Sequence, residues 1–473
     1  MTGQKHIVIL GAGPGGYVAA IRGAQLGARV TVVENQALGG VCLNAGCIPS
    51  KALLSVVELG EKAKKGADLG LKLEGGITYD LPRMIARKNQ VVTNLVKGIA
   101  ALFKAWSIAH VEGTGVLVDD RTIRVAGANG GETTVGGDAL IIATGSSWPT
   151  LPQFPVDGRR IMTSKEALDL TEVPQSLLII GAGVEGCEFA SLYSALGTQV
   201  SMVELMPRIL PLEDEEIATV MMRELTKKNV AVHSGTTVDR LERQPSSIQA
   251  FLKDGKTVSA ETILVSVGRG FNTKGIGLEK AGVQLGQRGE IVVNDKMETN
   301  VPGIYAIGDV VGKAMLAHVA SAQGKVAVEN SLGRERTMNY DVVPAGIFTL
   351  PEIGRVGLTE EQARERISAD GGDASIVKIG RFRYSSLGKA LAVGEPTGLF
   401  KVIADGQTGA VLGAHIIGSH AADLIHEPAL AMEVGASIAE VAGMIHAHPT
   451  LSEGLMEAAE DVDGVAIHMA RKR

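Results

Sequence analysis

Residues 5–35 read KHIVILGAGPGGYVAAIRGAQLGARVTVVEN: a short apolar run, a glycine-rich turn, an alanine-rich stretch, and a second apolar run closing on an acid. Gly11, Gly13 and Gly16 fit the spacing GxGxxG. In that arrangement the first glycine permits a tight turn and the second lets the backbone approach a pyrophosphate. The third lets helix and strand pack closely. Phosphates would sit at the helix N-terminus, facing unpaired N–H groups and the positive end of the helix dipole. Glu34 follows Gly13 by about 20 residues, where a carboxylate can accept from a ribose hydroxyl. The stretch predicts a strand–turn–helix–strand unit that cradles a dinucleotide.

The same pattern returns at residues 176–205, SLLIIGAGVEGCEFASLYSALGTQVSMVEL, with Gly181, Gly183, Gly186 and a terminal Glu204. The chain therefore carries two such folds. A carboxylate at Glu204 accepts from a free 2′-hydroxyl and repels the 2′-phosphate of NADP, for which arginine is the usual partner. Arg208, in LMPRILP, reads as the start of the following loop, so the second site is expected to take NAD.

Composition bounds the rest. At 473 residues the chain can bury large cores, and a prior of roughly 150 residues per domain suggests about three domains. The net charge of −6 and the absence of a long basic block argue against a nucleic-acid partner. No run is expected to approach the ~18 apolar residues of a membrane span, and the opening MTGQKHIVIL lacks a secretory signal. These features predict a cytoplasmic protein with no membrane partner. The acidic run LEDEEIA, residues 212–218, reads as a solvated helix face.

Two of three cysteines sit together in GGVCLNAGCIPSK, residues 39–51. Spacing alone leaves a structural disulfide, half of a metal site, or a redox pair. A staple is not needed in a large chain outside an oxidising compartment. A metal site would want a second ligand pair, whereas the remaining thiol, Cys187, lies inside the second nucleotide unit and reads as a small core residue. No metal is expected. Two nucleotide folds beside a close thiol pair suggest electron relay, and a flavin both exchanges hydride with NAD and reacts with thiolates. The first fold is expected to hold FAD.

Taken together these residues resemble the pyridine nucleotide-disulfide oxidoreductases, and among them the dihydrolipoamide dehydrogenases, over essentially the whole chain. GGVCLNAGCIPSKALL, ATGS (Ala143, Thr144, Gly145, Ser146), YAIGD ending at Asp309, and IHAHPTLSEGLMEAA, residues 445–459, carry the likeness. The resemblance implies that Cys42 and Cys47 form a redox disulfide beside the flavin. Cys47 would face the ring and Cys42 would exchange with substrate. It implies that His448 is the acid/base, oriented by Glu453, and that Lys51 approaches the flavin and pairs with Glu188. It places Asp309 at the ribityl and pyrophosphate region, Met315, Leu316, Ala317 and His318 along the flavin ring, and Gly115 at the adenine half. Gly268 would mark the return from the NAD to the FAD side. His446 reads as structural. The implied activity is oxidation of protein-bound dihydrolipoamide to lipoamide with reduction of NAD⁺; a paralogue acting on another disulfide or sulfur substrate is the alternative. Implied partners are a second copy, whose disulfide the histidine reaches, and a lipoyl-bearing carrier of a 2-oxoacid dehydrogenase complex or glycine cleavage system. No lipoyl module precedes the first strand, so the lipoyl group is expected from another protein.

The expected fold is α/β, with two Rossmann-like dinucleotide-binding domains and a C-terminal α+β dimerisation domain. The FAD domain takes residues 1–147 and 271–341, the NAD domain 148–270, and the interface domain 342–473. Helices are expected near 50–68, 82–106, 320–333, 421–434 and 437–445. An antiparallel sheet is expected from Asp341 onward.

Overall fold

The computed structural model describes residues 3–470, so residues 1, 2 and 471–473 of the expected end domains lie outside the described residues. The chain divides into two compact units. One comprises the described residues through Ala52 with Arg83–Leu151 and Gly268–Asn339. The other comprises Leu53–Pro82, Pro152–Val267 and the described residues from Tyr340.

The first unit is built on a five-stranded parallel sheet in the order Ile304–Ala306, Ala139–Ile142, His6–Leu10, Arg29–Glu34, Ala109–Glu112. Its central strands are near-continuous apolar runs because both faces are covered, as in parallel sheets generally. The helix Pro14–Gln25 starts with proline in its first turn, where the missing N–H costs nothing. It buries a stripe of small residues: Gly15, Gly16, Ala19, Ala20 and Gly23. Those residues let Ala317–Ser331 pack so closely that a Cβ on Gly324 would lie 2.6 Å from the Gly15 carbonyl oxygen.

The second unit repeats the plan with Ala231–Ser234, Gln199–Glu204, Ser176–Ile180, Thr262–Val265 and Ile161–Met162, all parallel. It also contains a five-stranded antiparallel sheet, in the order Ala345–Ile347, Glu352–Gly357, Val411–Gly418, Leu399–Asp405, Val377–Arg383. The rings of Tyr384 and Phe400 stack 4.7 Å apart in its core. The helix Glu453–Asp461 lies against the last strand, with no room for a Cβ at Gly380, which would stand 1.8 Å from the Ala458 carbonyl oxygen.

Most expected elements are present: helices Cys47–Lys64, Leu81–Ala105, Ala317–Ser331 and Ile438–Gly443. The stretch expected as one helix at 421–434 divides into Ala421–Leu424 and His426–Glu433.

Two expectations hold only in part. The acidic run 212–218 is a solvated face only in part: Glu215 is exposed, but Glu213 and Asp214 are each 2% exposed and are met by basic side chains of the antiparallel sheet. One 18-residue window of the helical run Gly40–Leu69 reaches a mean hydropathy of 1.4, enough by length and composition alone to cross a membrane. Its leucines and valines are separated by small and polar residues and by Lys51, so no continuous apolar run forms. Gly46 interrupts it, Leu53, Leu54 and Val57 are buried in the protein, and Lys62 pairs with Glu58 at 2.8 Å. It is a packed helix of the fold.

Candidate redox and nucleotide sites

The two glycine turns are near copies. Gly11 and Gly181 have φ of +107° and +102°, and a Cβ there would strike the Ala143 and Ser266 carbonyl oxygens at 2.3 and 2.1 Å. A Cβ on Gly16 or Gly186 would lie 1.9 or 2.0 Å from the carbonyl oxygen of Gly11 or Gly181. The middle glycines differ in kind. Gly13 and Gly183 have ordinary φ values of −66° and −73°. A Cβ at Gly13 would meet only Gly40 Cα, at 4.0 Å, and at Gly183 nothing within 4 Å. Nothing in the protein demands glycine at either place. A group brought against the backbone would, which is the fit expected for a dinucleotide pyrophosphate.

The acids close each cradle. Glu34 accepts from the Ala12 N–H at 2.7 Å and the Gln36 N–H at 2.8 Å. Glu204 accepts from the Ala182 N–H at 2.7 Å and the Met206 N–H at 2.8 Å. Each carboxylate thus braces its own turn and keeps lone pairs for ribose hydroxyls. Arg208 pairs with Glu361 at 3.5 Å, as suits a loop residue rather than a 2′-phosphate ligand. Cys187 is fully buried under the second turn, where burial pushes its thiol up and its S–H reaches the Ala182 carbonyl at 3.4 Å. It is a core residue.

In the first unit the cysteine segment presses on the first cradle. Gly39 N–H donates to the Ala12 carbonyl at 2.9 Å, and a Cβ on Gly40 would stand 2.7 Å from Gly13 Cα. Cys42 lies in the short helix Gly40–Ala45, braced by Asn44, whose amide donates to the Leu38 and Gly40 carbonyls. Cys47 opens the 18-residue helix Cys47–Lys64 and is exposed, so an anionic sulfur there meets the positive end of the helix dipole. The two are thiols, not a disulfide. Cys42 is held well above the usual thiol range, first by its hydrogen bond with Cys47 and then by burial, against the charge of Lys51. Tyr17 is a neighbour that sequence reasoning missed: burial and then the charge of Cys42 push its phenol up.

The remaining residues of the first unit form two groups. Ser146 donates a short hydrogen bond to Asp309, and Arg269 holds Ser146 through its hydroxyl at 2.7 Å and its carbonyl at 2.8 Å. Thr144 and Gly145 are tied to Asn272 by three hydrogen bonds, across the antiparallel pair of Ser146–Ser147 with Gly270–Phe271. Gly268 has φ +100°. Leu316 caps Ala317–Ser331, with Ala317 and His318 in its first turn and Met315 exposed before it. Gly115 has a packing reason of its own, since a Cβ there would lie 2.5 Å from Leu10 Cδ1.

In the second unit Glu188 is buried on Val184–Leu196 and accepts from the Phe348 N–H at 2.9 Å. The C-terminal motif separates two histidines. His446 is tied at both nitrogens, to the Met444 carbonyl and to Glu427 at 2.8 Å. His448 uses one: Nδ1 lies 2.8 Å from Glu453 Oε1, and its side chain is 77% exposed. Burial would push Glu453 up, but the Thr450 N–H and His448 outweigh it and hold its carboxyl below the usual range. Facing an ionised acceptor, Nδ1 must carry the proton, which leaves Nε2 as the outward lone pair of the neutral ring. Among the described residues, no cluster of three or more His, Cys, Asp or Glu could hold a metal ion.

The sequence profile of the pyridine nucleotide-disulphide oxidoreductases matches residues 5–324, and that of their dimerisation domain matches 343–459. The chain belongs to this family. The family's cofactors are FAD and NAD, and the dimerisation domain supports a homodimer. The chain is 42% identical to dihydrolipoyl dehydrogenase of Thermus scotoductus over 472 residues, covering 98% of this chain and 99% of that one. Its fold is similar to the crystal structure of LpdA from Mycobacterium tuberculosis, with a TM-score of 0.89 and 29% identity over 97% of this chain and 99% of that one. It is also similar to the HOCl-induced flavoprotein disulfide reductase RclA of Escherichia coli, with a TM-score of 0.84 and 27% identity over 96% and 99%.

Proposed function

We propose that the chain is a dihydrolipoyl dehydrogenase that oxidises protein-bound dihydrolipoamide to lipoamide and reduces NAD⁺. One observation carries the reading: a thiol pair set at a helix N-terminus, against a dinucleotide cradle, in a chain that also builds a second cradle and a solvent-facing His–Glu dyad. The colinearity with dihydrolipoyl dehydrogenases supports it.

The first cradle, with Gly11, Gly13, Gly16, Glu34, Gly115, Asp309 and the segments 143–145 and 315–318, is assigned to FAD. Gly181, Gly183, Gly186 and Glu204 are assigned to NAD, with Gly268 at the return. When bound, FAD supplies the two-electron relay between the protein's dithiol and NAD⁺. The chain's own groups do the thiol chemistry. His448 Nε2 takes a proton from one substrate thiol, because the thiolate is the nucleophile. That thiolate attacks Cys42 of the oxidised pair, and the Cys42–Cys47 bond breaks with Cys47 leaving as thiolate. The second substrate thiol then attacks the mixed disulfide, forming the lipoamide S–S bond; Cys42 leaves and takes up that thiol's proton, and the proton held by His448 passes to solvent. The raised Cys42 thiol supports this division, since Cys42 keeps its proton in the reduced pair. Lys51 is assigned to the flavin environment with Glu188 as its partner. In the homodimer His448 serves the cysteine pair of the partner subunit.

The domain assignment follows: residues 1–147 and 271–341 for FAD, 148–270 for NAD, and 342–473 for the interface. The substrate is the lipoyl group of a carrier protein, from a 2-oxoacid dehydrogenase complex or glycine cleavage system. We place the protein in the cytoplasm because a catalytic thiol pair suits a reducing compartment.

Steady-state turnover with dihydrolipoamide and NAD⁺, compared with NADP⁺, tests the proposal. Fast NAD⁺-dependent turnover is expected. A flavin that NADH reduces but dihydrolipoamide does not would replace this reading with a reductase of another disulfide, as the likeness to RclA allows. A preference for NADP⁺ would overturn the role of Glu204.

A further inference from the structure

Four basic side chains stand in one row across the antiparallel sheet of the second unit. Arg355 pairs in register with His415, His415 with Lys401, and Lys401 with Arg381. Neighbours opposite one another on a sheet share a face, and like charges there repel. Lys401 and His415 are 2% and 1% exposed, so water does not screen them. Burial pushes the His415 imidazole down, and its Nε2 lies 2.9 Å from the Leu358 carbonyl, which makes it a neutral spacer between two cations.

The acids that answer this row come from the segment after the second cradle. Glu213 meets Arg355 at 2.9 Å, and Asp214 meets Lys401 at 2.9 Å. Glu216 meets Lys401 at 2.8 Å and also binds Arg381, while Glu360 adds a contact to Lys401 at 2.9 Å. Asp214 also caps the helix Glu215–Lys227, accepting from the Glu216 N–H at 3.0 Å.

This cluster continues into the glycine turn. The Glu213 N–H donates to the Leu210 carbonyl at 2.9 Å, and the Leu210 N–H donates to the Ala182 carbonyl at 2.8 Å. Ala182 in turn donates to Glu204. Leu210 is buried with φ +47°, a conformation that a branched side chain keeps only when its surroundings over-determine it. A buried ion pair is weak evidence for stability, since apolar residues of similar volume often serve as well, whereas in some systems it fixes one arrangement. Here the contacts run continuously from Lys401 through Asp214, Glu213 and Leu210 to Ala182.

We propose that Lys401 is a positioning residue for nucleotide binding: by clamping Asp214 and Glu216 to the antiparallel sheet, it holds Leu210 against Ala182 and keeps the second glycine turn in its receiving geometry. The inference rests on the reading of that turn as the NAD site. Lys401 touches no nucleotide itself and acts through Asp214.

The test is calorimetric titration of the FAD-loaded, oxidised dimer with NAD⁺ and with ADP-ribose. Lys401→Met is expected to weaken both by roughly fivefold or more, within the usual range of coupling between separated sites. FAD content, dimer mass and KM for dihydrolipoamide should stay unchanged. Lys401→Arg should retain most of the wild-type affinity, and Glu360→Gln, which removes the outer charge that faces Lys401, Arg381 and Arg364, should weaken it in the same direction as Lys401→Met by less. Wild-type affinity in Lys401→Met, or a parallel loss of FAD and dimer, overturns the inference. If Lys401→Met does not fold, Glu360→Gln decides, and an unchanged affinity there overturns it. Wild-type protein that binds neither probe would instead overturn the NAD reading of the turn, and the inference with it.

Discussion

His448 Nδ1 lies 2.8 Å from Glu453 Oε1, while the Thr450 N–H holds the other carboxylate oxygen at 2.7 Å. The carboxylate is fixed from two sides, so the imidazole can only donate to it and must present Nε2 outward. His448→Gln should therefore lower kcat with dihydrolipoamide by about 10²–10⁴-fold, the usual worth of a positioned acid–base group. Glu453→Gln should cost less, because the ring remains but loses its fixed tautomer. Rapid-mixing measurement of flavin reduction by dihydrolipoamide checks both. Wild-type reduction in the histidine variant would remove His448 from the reaction.

Cys42→Ser and Cys47→Ser should each retain FAD, since the cradle is built by other residues, and each should lose dihydrolipoamide turnover. The two should differ in visible absorption. Cys42→Ser keeps the sulfur at the helix N-terminus and should show the long-wavelength band of a thiolate against an oxidised flavin, whereas Cys47→Ser should not. A band in the opposite variant would exchange the roles of the two sulfurs.

The glycines of the second cradle separate folding from binding. Gly183→Ala adds a methyl group to open space at an ordinary φ, so the unfolding free energy should change by no more than about 0.5 kcal/mol, while NAD⁺ affinity falls. Gly186→Ala drives a Cβ to 2.0 Å from a backbone oxygen and should destabilise the fold outright. Denaturant unfolding beside nucleotide titration distinguishes them. A large stability loss in Gly183→Ala would mean that the protein, not the ligand, selects that glycine.

Glu216 gives the acidic clamp a defined pH range. Burial alone would push its carboxyl up, but hydrogen bonds from Arg381 and Lys401 outweigh that and bring it from the ordinary 4.5 down to about 2. As pH falls, the unfolded chain binds this proton before the folded one does. The stabilisation is therefore complete above 4.5 and is lost as the pH falls towards about 2. Glu216→Gln should be less stable than wild type at neutral pH, and the gap in urea midpoint should narrow across that acid window. A gap that stays constant down to the lower limit would show that the carboxylate contributes no linked stability.

The local devices of this protein were legible in the chain. The three glycines and terminal acid of each cradle act within one strand–turn–helix–strand unit, so their spacing alone prescribes the turn, the close packing and the acid beside the helix N-terminus. The cysteine pair and the HPTLSE stretch are likewise short and self-contained. What the sequence could not display was every decision made by partners far along the chain. The resemblance set His446 apart from His448, but the physical reason lies in the fold: Glu427 and the Met444 carbonyl tie up both nitrogens of one buried ring, while the other ring keeps a nitrogen in solvent. LEDEEIA has the pattern of a solvated face, yet its Glu213 and Asp214 are buried against a basic row, with Lys401 187 residues beyond Asp214, that exists only once four strands are in register. Charge on one segment states a need for a counter-charge or for water; only the folded chain settles which of them is supplied.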